Sequence, residues 1–111
     1  MYKYATTFLL LFLLAACQSL GLQEAKSLDQ RIAYAVGVQT AVNNAAASAL
    51  SVGSIKKSDA EFVFKSSTDA RTLLDAARLA NNAGDPATAE GRLTLAVNIL
   101  TQLQDYLRAH K

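Results

Sequence analysis

Apolar residues recur along this chain in steps of four and three, and nowhere in sustained steps of two. Ala89, Leu93, Ala96, Leu100, Leu103 and Leu107 step 4-3-4-3-4 without a break, a heptad seam on one helical face. Leu95, Ile99 and Tyr106 flank it, so this helix is expected to touch two neighbours. Asp85 followed by Pro86 supplies an N-cap and a proline at the first helical position, predicting a helix over about 86–109. Upstream, Leu28, Ile32, Ala35, Gln39, Val42, Ala46 and Ala49 alternate in the same way, with Gln39 alone out of keeping. A second strip, Tyr34, Val38, Ala41 and Ala45, widens that face. Ser27 with Gln30 three residues on forms a capping box, and Gly53 is placed to end the helix, giving about 28–52.

Between these two lies a third periodic stretch. Ser58-Asp59-Ala60-Glu61 reads as another capping box with acids in the first turn, and Gly84 as a terminator, predicting about 59–83. Its core stripe is expected to run through Phe62 or Val63, then Ser66, Ala70, Leu73, Ala77 and Ala80. Lys65, Asp69, Arg71, Asp75 and Arg78 fall opposite, spaced for weak pairs along the helix. Long helices with short connections default to antiparallel neighbours. The expected fold class is therefore all-α, a three-helix up-down-up antiparallel bundle over 27–111. The Tyr34-Val38 and Leu95-Ile99-Tyr106 strips are expected to meet inside one bundle; if they do not, they remain available for a homo-oligomer.

Composition narrows the picture. Of 111 residues, 21 are alanine, which implies closely spaced helices rather than a thick core. One cysteine excludes a disulfide scaffold, and a net charge of +2 gives no reason to expect a nucleic-acid partner.

The first residues carry a different signal. Lys3 precedes the apolar run Phe8-Leu9-Leu10-Leu11-Phe12-Leu13-Leu14, and small residues close it. These are the parts of a secretory signal peptide, and the run is shorter than the ~20 residues of a membrane span. Leu14-Ala15-Ala16-Cys17 resembles the lipobox of bacterial lipoproteins at all four positions. The resemblance implies cleavage after Ala16, so that 1–16 is the signal peptide, and a covalent lipid on Cys17, which becomes the first residue of the mature chain. Gln18, rather than aspartate, implies by the same resemblance the outer membrane, with the domain facing the periplasm. Residues 17–26 then form the lipidated cysteine and a tether, able to reach roughly 30 Å when extended.

Two further resemblances concern the domain. From Leu73 to Ala96, the spacing of Gly84, Ala89, Leu93 and Ala96 is similar to a tetratricopeptide helix-turn-helix, but only one unit is present where a solenoid needs about three. The lipobox together with Gly53-Ser54-Ile55 before Ser58-Asp59-Ala60, then Asp69-Ala70-Arg71, Gly84-Asp85 and Leu103-Gln104-Asp105-Tyr106-Leu107 resembles small lipoproteins encoded in bacterial genomes and prophages. That resemblance implies an envelope protein without an assigned activity and, in its most specific form, a prophage product that excludes superinfecting phage.

Residues able to do chemistry are few. The single histidine, His110, is next to last and expected to be a solvated tail residue; the single cysteine is committed to lipid. No metal site of His and Cys is therefore expected in a monomer, no cofactor beyond the covalent lipid, and no catalytic residue. Lys56-Lys57 is a small basic point that suits a phosphate of lipid or cell wall. Phe64 is expected on a polar face with Ala60, Ser67, Thr68, Arg71 and Asp75, where an exposed aromatic suits a partner protein. The expected function is a membrane-anchored, non-enzymatic interaction module binding an envelope protein. The alternative is an envelope structural or lysis-associated lipoprotein that binds peptidoglycan or an inner-membrane partner.

Overall fold

The structure, a computed structural model, describes residues 27–111, and these form three helices: α1 (Leu28–Ser51), α2 (Lys57–Asn82) and α3 (Pro86–Ala109). Each packs against the other two, and the short links 52–56 and 83–85 reverse the chain twice, giving an up-down-up three-helix bundle. At about 1.5 Å per residue the helices are roughly 36–39 Å long. One end of the bundle gathers the start of α1, the end of α2 and the start of α3; there Asn81 Nδ2 donates to Asp29 Oδ1 at 2.8 Å. The opposite end gathers the 52–56 link and the chain terminus.

α3 has the predicted seam: Ala89, Leu93, Ala96, Leu100, Leu103 and Leu107 are all buried. α1 presents Ile32, Ala35, Gln39, Val42 and Ala46 to the core, with Leu28 and Ala49 half-buried at its two ends. α2 contributes Ala60, Val63, Ser67, Ala70, Leu74 and Ala77. Val63, Ala70 and Ala77 are buried as expected, but Ser67 and Leu74 take the core places expected for Ser66 and Leu73, each one residue on, and Ala80 is only half-buried. The cause lies in the residue that looked out of place on α1. Gln39 Nε2 donates to Ser67 Oγ at 2.9 Å between two buried side chains. A buried amide without a partner is costly, and this hydroxyl faces it only if α2 turns Ser67 inward.

No aromatic residue is among the largest fully buried side chains, which are Ile32, Leu74, Leu100, Val42, Val63 and Ser67. Alanines fill the remaining crossings, so the helix axes must approach closely for the core to be dense.

The helix ends explain the turns. Ser27 and Gln30 form the expected capping box, the Ser27 hydroxyl accepting from the Gln30 amide and the Gln30 side chain accepting from the Ser27 amide. α1 and α2 both end in Schellman motifs: Ser54 N–H bonds Ala49 C=O at 2.8 Å, and Asp85 N–H bonds Ala80 C=O at 2.9 Å. The C′ residue in each is a glycine in the left-handed region, Gly53 at φ 79° and Gly84 at φ 82°. The capping box expected at Ser58 is not formed. α2 begins two residues earlier, with Lys56 as N-cap and no side-chain cap. Ile55 and Ala60, the positions just before the cap and in the first full turn, are both buried and staple the chain entrance, which sets the start by packing rather than by the serine. Asp85 caps α3 as expected, its carboxylate accepting from Thr88 N–H at 3.2 Å. Hydrogen bonding to Thr88, aided by nearby Arg92, holds its pKa below the usual carboxylate value.

Two predictions follow from these contacts. Ser67→Ala leaves the Gln39 amide unpaired and should cost about 1–3 kcal/mol in urea unfolding, whereas adding Gln39→Leu should restore most of it; additive losses would show that the pair is not coupled. A depressed folded-state pKa at Asp85 stabilises above the unfolded value near 3.9 and is lost as pH falls through the folded one. The melting temperature of Asp85→Asn should accordingly lie below wild type at pH 7 and converge with it at about pH 2. A gap that persists in acid would locate the effect elsewhere.

Candidate functional site

Cys17 and the Leu14-Ala15-Ala16 motif before it, with the signal peptide and the tether, lie outside the described residues. Lys56 and Lys57 are exposed at the start of α2, and neither has an ion-pair partner among the described residues.

The aromatic anchor is the main correction. Phe64 is half-buried and packed against the core, while Phe62 is the exposed one, at 66% of its free surface. Both flank Val63 by about 100°, one to each side, so the periodicity alone does not choose between them. Phe62 lies on the edge facing α3. There it borders an acidic groove of about 530 Å³ with Asp59, Ser66, Asp69, Ile99 and Tyr106. Partial burial, then the Asp59 carboxylate, push the Tyr106 phenol above its usual pKa.

A second groove runs between the later halves of α1 and α3. Its volume is about 570 Å³ and its walls are mainly apolar. Ala41, Ala45, Ser48 and Val52 form one side, and Leu107 and Arg108 stand on the other, with His110 and Lys111 at its end. The two grooves therefore differ in sign: carboxylates border one, cations the other. The expected internal meeting of the Tyr34-Val38 and Leu95-Ile99-Tyr106 strips does not occur as a unit. Val38, Ile99 and Tyr106 are half-buried, but Tyr34 at 58% and Leu95 at 55% face outward, as do Ala41 and Ala45. The seam on α3 already fills the space between α1 and α2, which leaves those strips at the edges.

His110 is exposed but not a loose tail. It is the C-cap of α3, its Nδ1 lies 2.7 Å from Tyr106 C=O, and its ring sits 4.1 Å from the Tyr106 ring. Of the charges spaced for pairs along α2, Arg71 and Asp75 meet at 3.1 Å; on α3, Arg108 and Asp105 meet at 3.6 Å, and both pairs are well exposed and worth little. A pair that the sequence pattern does not show joins α1 to α3: the largely buried Arg31 guanidinium grips the Glu90 carboxylate with two prongs. Its only sequence signal is Arg31 standing beside the apolar Ile32 near the start of α1. Among the described residues, no group of three or more His, Cys, Asp or Glu is placed to hold a metal ion, and no helix is long and apolar enough to cross a membrane.

Compared with protein-family models, with curated proteins and with solved structures, the chain matches none.

The exchange of roles between the two phenylalanines has a direct readout. Phe64→Ala should cost more than 1 kcal/mol of stability, and Phe62→Ala less than about 0.5 kcal/mol. Equal losses in chemical denaturation would contradict the assignment.

Proposed function

We propose that this chain is a lipid-anchored, non-enzymatic interaction protein of the bacterial envelope, held to the outer membrane on its periplasmic side through a covalent lipid on Cys17. The observation that carries this reading is Leu14-Ala15-Ala16-Cys17, set at the end of a short apolar run and containing the chain's single cysteine. The start of the folded domain supports it. α1 opens at Leu28 with a complete cap at Ser27, so the described domain begins ten residues after Cys17. Two or three acyl chains hold a protein on a bilayer where one is marginal, and confinement to a membrane raises the effective concentration of the domain for other membrane-bound proteins. The outward faces that the bundle leaves uncovered, Phe62 over the acidic groove and the neutral side of α1, are the surfaces such a module offers. In its specific form the proposal is a prophage product that stops a second phage from passing its DNA into the cell.

One pair of strains tests both levels. Wild type and Cys17→Ser are expressed in a lipoprotein-competent bacterium and their intact masses compared. The expected wild-type mass is the chain from Cys17 plus acyl groups, lost in the variant; an unmodified full-length mass would refute the anchor. Plated against a phage panel, the wild-type strain should reduce plaque number for at least one phage and Cys17→Ser should not. Equal plating throughout would remove superinfection exclusion while leaving the anchor intact.

A further inference from the structure

From Ile32 to Ile55 the chain has no charged side chain, although most of one face of α1 is exposed. α2, of similar length, carries charge on every turn up to Arg78. A helix that faces only water normally places its charges there, and depletion of charge is what the centre of a protein interface shows.

The neutral face is also patterned. Tyr34, Val38, Ala41, Ala45, Ser48 and Val52 step 4-3-4-3-4, a seam about 110° around α1 from the one that faces the bundle core. Tyr34 and Val52, at its ends, are exposed by 58% and 77%. The small residues lie at the middle and border the open groove between α1 and α3. This arrangement is self-complementary. When two copies of α1 lie antiparallel and cross near Asn43, Tyr34 meets the other Val52, Val38 meets Ser48, and Ala41 meets Ala45, all in one register. Alanine at the crossing lets the two backbones approach, and opposed helix dipoles favour the alignment.

We propose that the partner of this face is a second copy of the chain, joined by an antiparallel α1–α1 contact, each α1 seated in the groove between the other copy's α1 and α3. Charge selects this direction over a parallel one. The face is charged only at its rims, with the Arg31–Glu90 pair at one end and Arg108 and Lys111 at the other. Parallel pairing would set the two cationic Arg108-Lys111 ends together, whereas antiparallel pairing separates them and places each beside the other copy's internally neutralised Arg31–Glu90 pair. A strip about 36 Å long and about 10–12 Å wide gives roughly 400 Å² from α1 alone. The α3 wall of the groove, with Gln104, Leu107 and Arg108, adds to this toward the ~800 Å² per partner of a standard interface. The contact does not depend on lipid at Cys17.

The test uses full-length chains in cells, with two differently tagged copies co-expressed and oxidised. Ala41→Cys with Ala45→Cys should give several-fold more doubly tagged disulfide product than Ala41→Cys with itself or Ala45→Cys with itself. Cys17 is present in all three mixtures and contributes equally. Strongest trapping in the self-mixtures would mean parallel pairing and overturn the proposed direction; equal yields in all three would overturn the interface. Ala45→Glu, at an exposed position, should keep the helical circular dichroism and reduce the dimer seen by sedimentation of the detergent-solubilised chain, and unchanged sedimentation would also count against the interface. Lipidation is read separately by mass, so an unmodified chain that still cross-links separates failure of the anchor from failure of this pairing.

Discussion

The unbroken seam of α3 governs the rest of the bundle. Its six positions, Ala89 to Leu107, are buried along the full length of the helix, and α1 and α2 both press their apolar faces into it. Each alanine brings little transfer energy, about 0.8 kcal/mol per buried methylene-sized group. What the seam supplies instead is proximity. Alanine and leucine alternate over its first four positions and leucine fills the last two, a surface that close neighbours fill without voids, and a core with no fully buried aromatic among its largest side chains remains dense only at that separation. The small residues of α1 and α2, among them Ala35, Ala46, Ala70 and Ala77, meet that requirement from the other side.

How much was legible follows from which forces are local. α3 is read correctly down to its last buried residue, because its cap, its proline and its seam all agree. The Ser27 capping box and the two glycine terminators are equally local, and they hold. α2 is misread where the deciding contact is distant in sequence. Ser58 has the right chemistry for a cap, but Ile55 finds a place in the core and the helix starts earlier. Ser66 and Leu73 fit the period as well as Ser67 and Leu74 do, and Gln39, on another helix, breaks the tie. Phe62 and Phe64 are symmetric about Val63 until α3 takes its position. Of the candidate site, Lys56 and Lys57 stand exposed as expected, Phe64 exchanges roles with Phe62, and the Arg31–Glu90 grip between α1 and α3 has almost no signature in the pattern.

The helices divide their labour unevenly. α2 and α3 each bury one face and carry charges on the outer one. In α1 one side enters the core, a small polar contact fixes its rotation through Gln39, and the remaining side is neutral and patterned. A helix of this kind has its electrostatic information only at its ends, where Arg31 and the cations near the terminus lie. Recognition across its middle then rests on shape and spacing, which sense register more finely than long, mobile charged side chains do.

The link between α2 and α3 carries a consequence for how this molecule can change over evolutionary time. Asp85 closes one helix with its amide and opens the next with its carboxylate, directly after the left-handed Gly84. Two termini thus share a single residue, and no spacer separates them. Insertion or deletion at this point would undo both ends together, so the hairpin has a fixed length. In the 52–56 link the two duties fall to different residues: Gly53 and Ser54 close α1, and the buried Ile55 sets the start of α2 ahead of Lys56, an N-cap without a side-chain bond. Variation in chain length among descendants of this fold should therefore collect at one end of the bundle and spare the other.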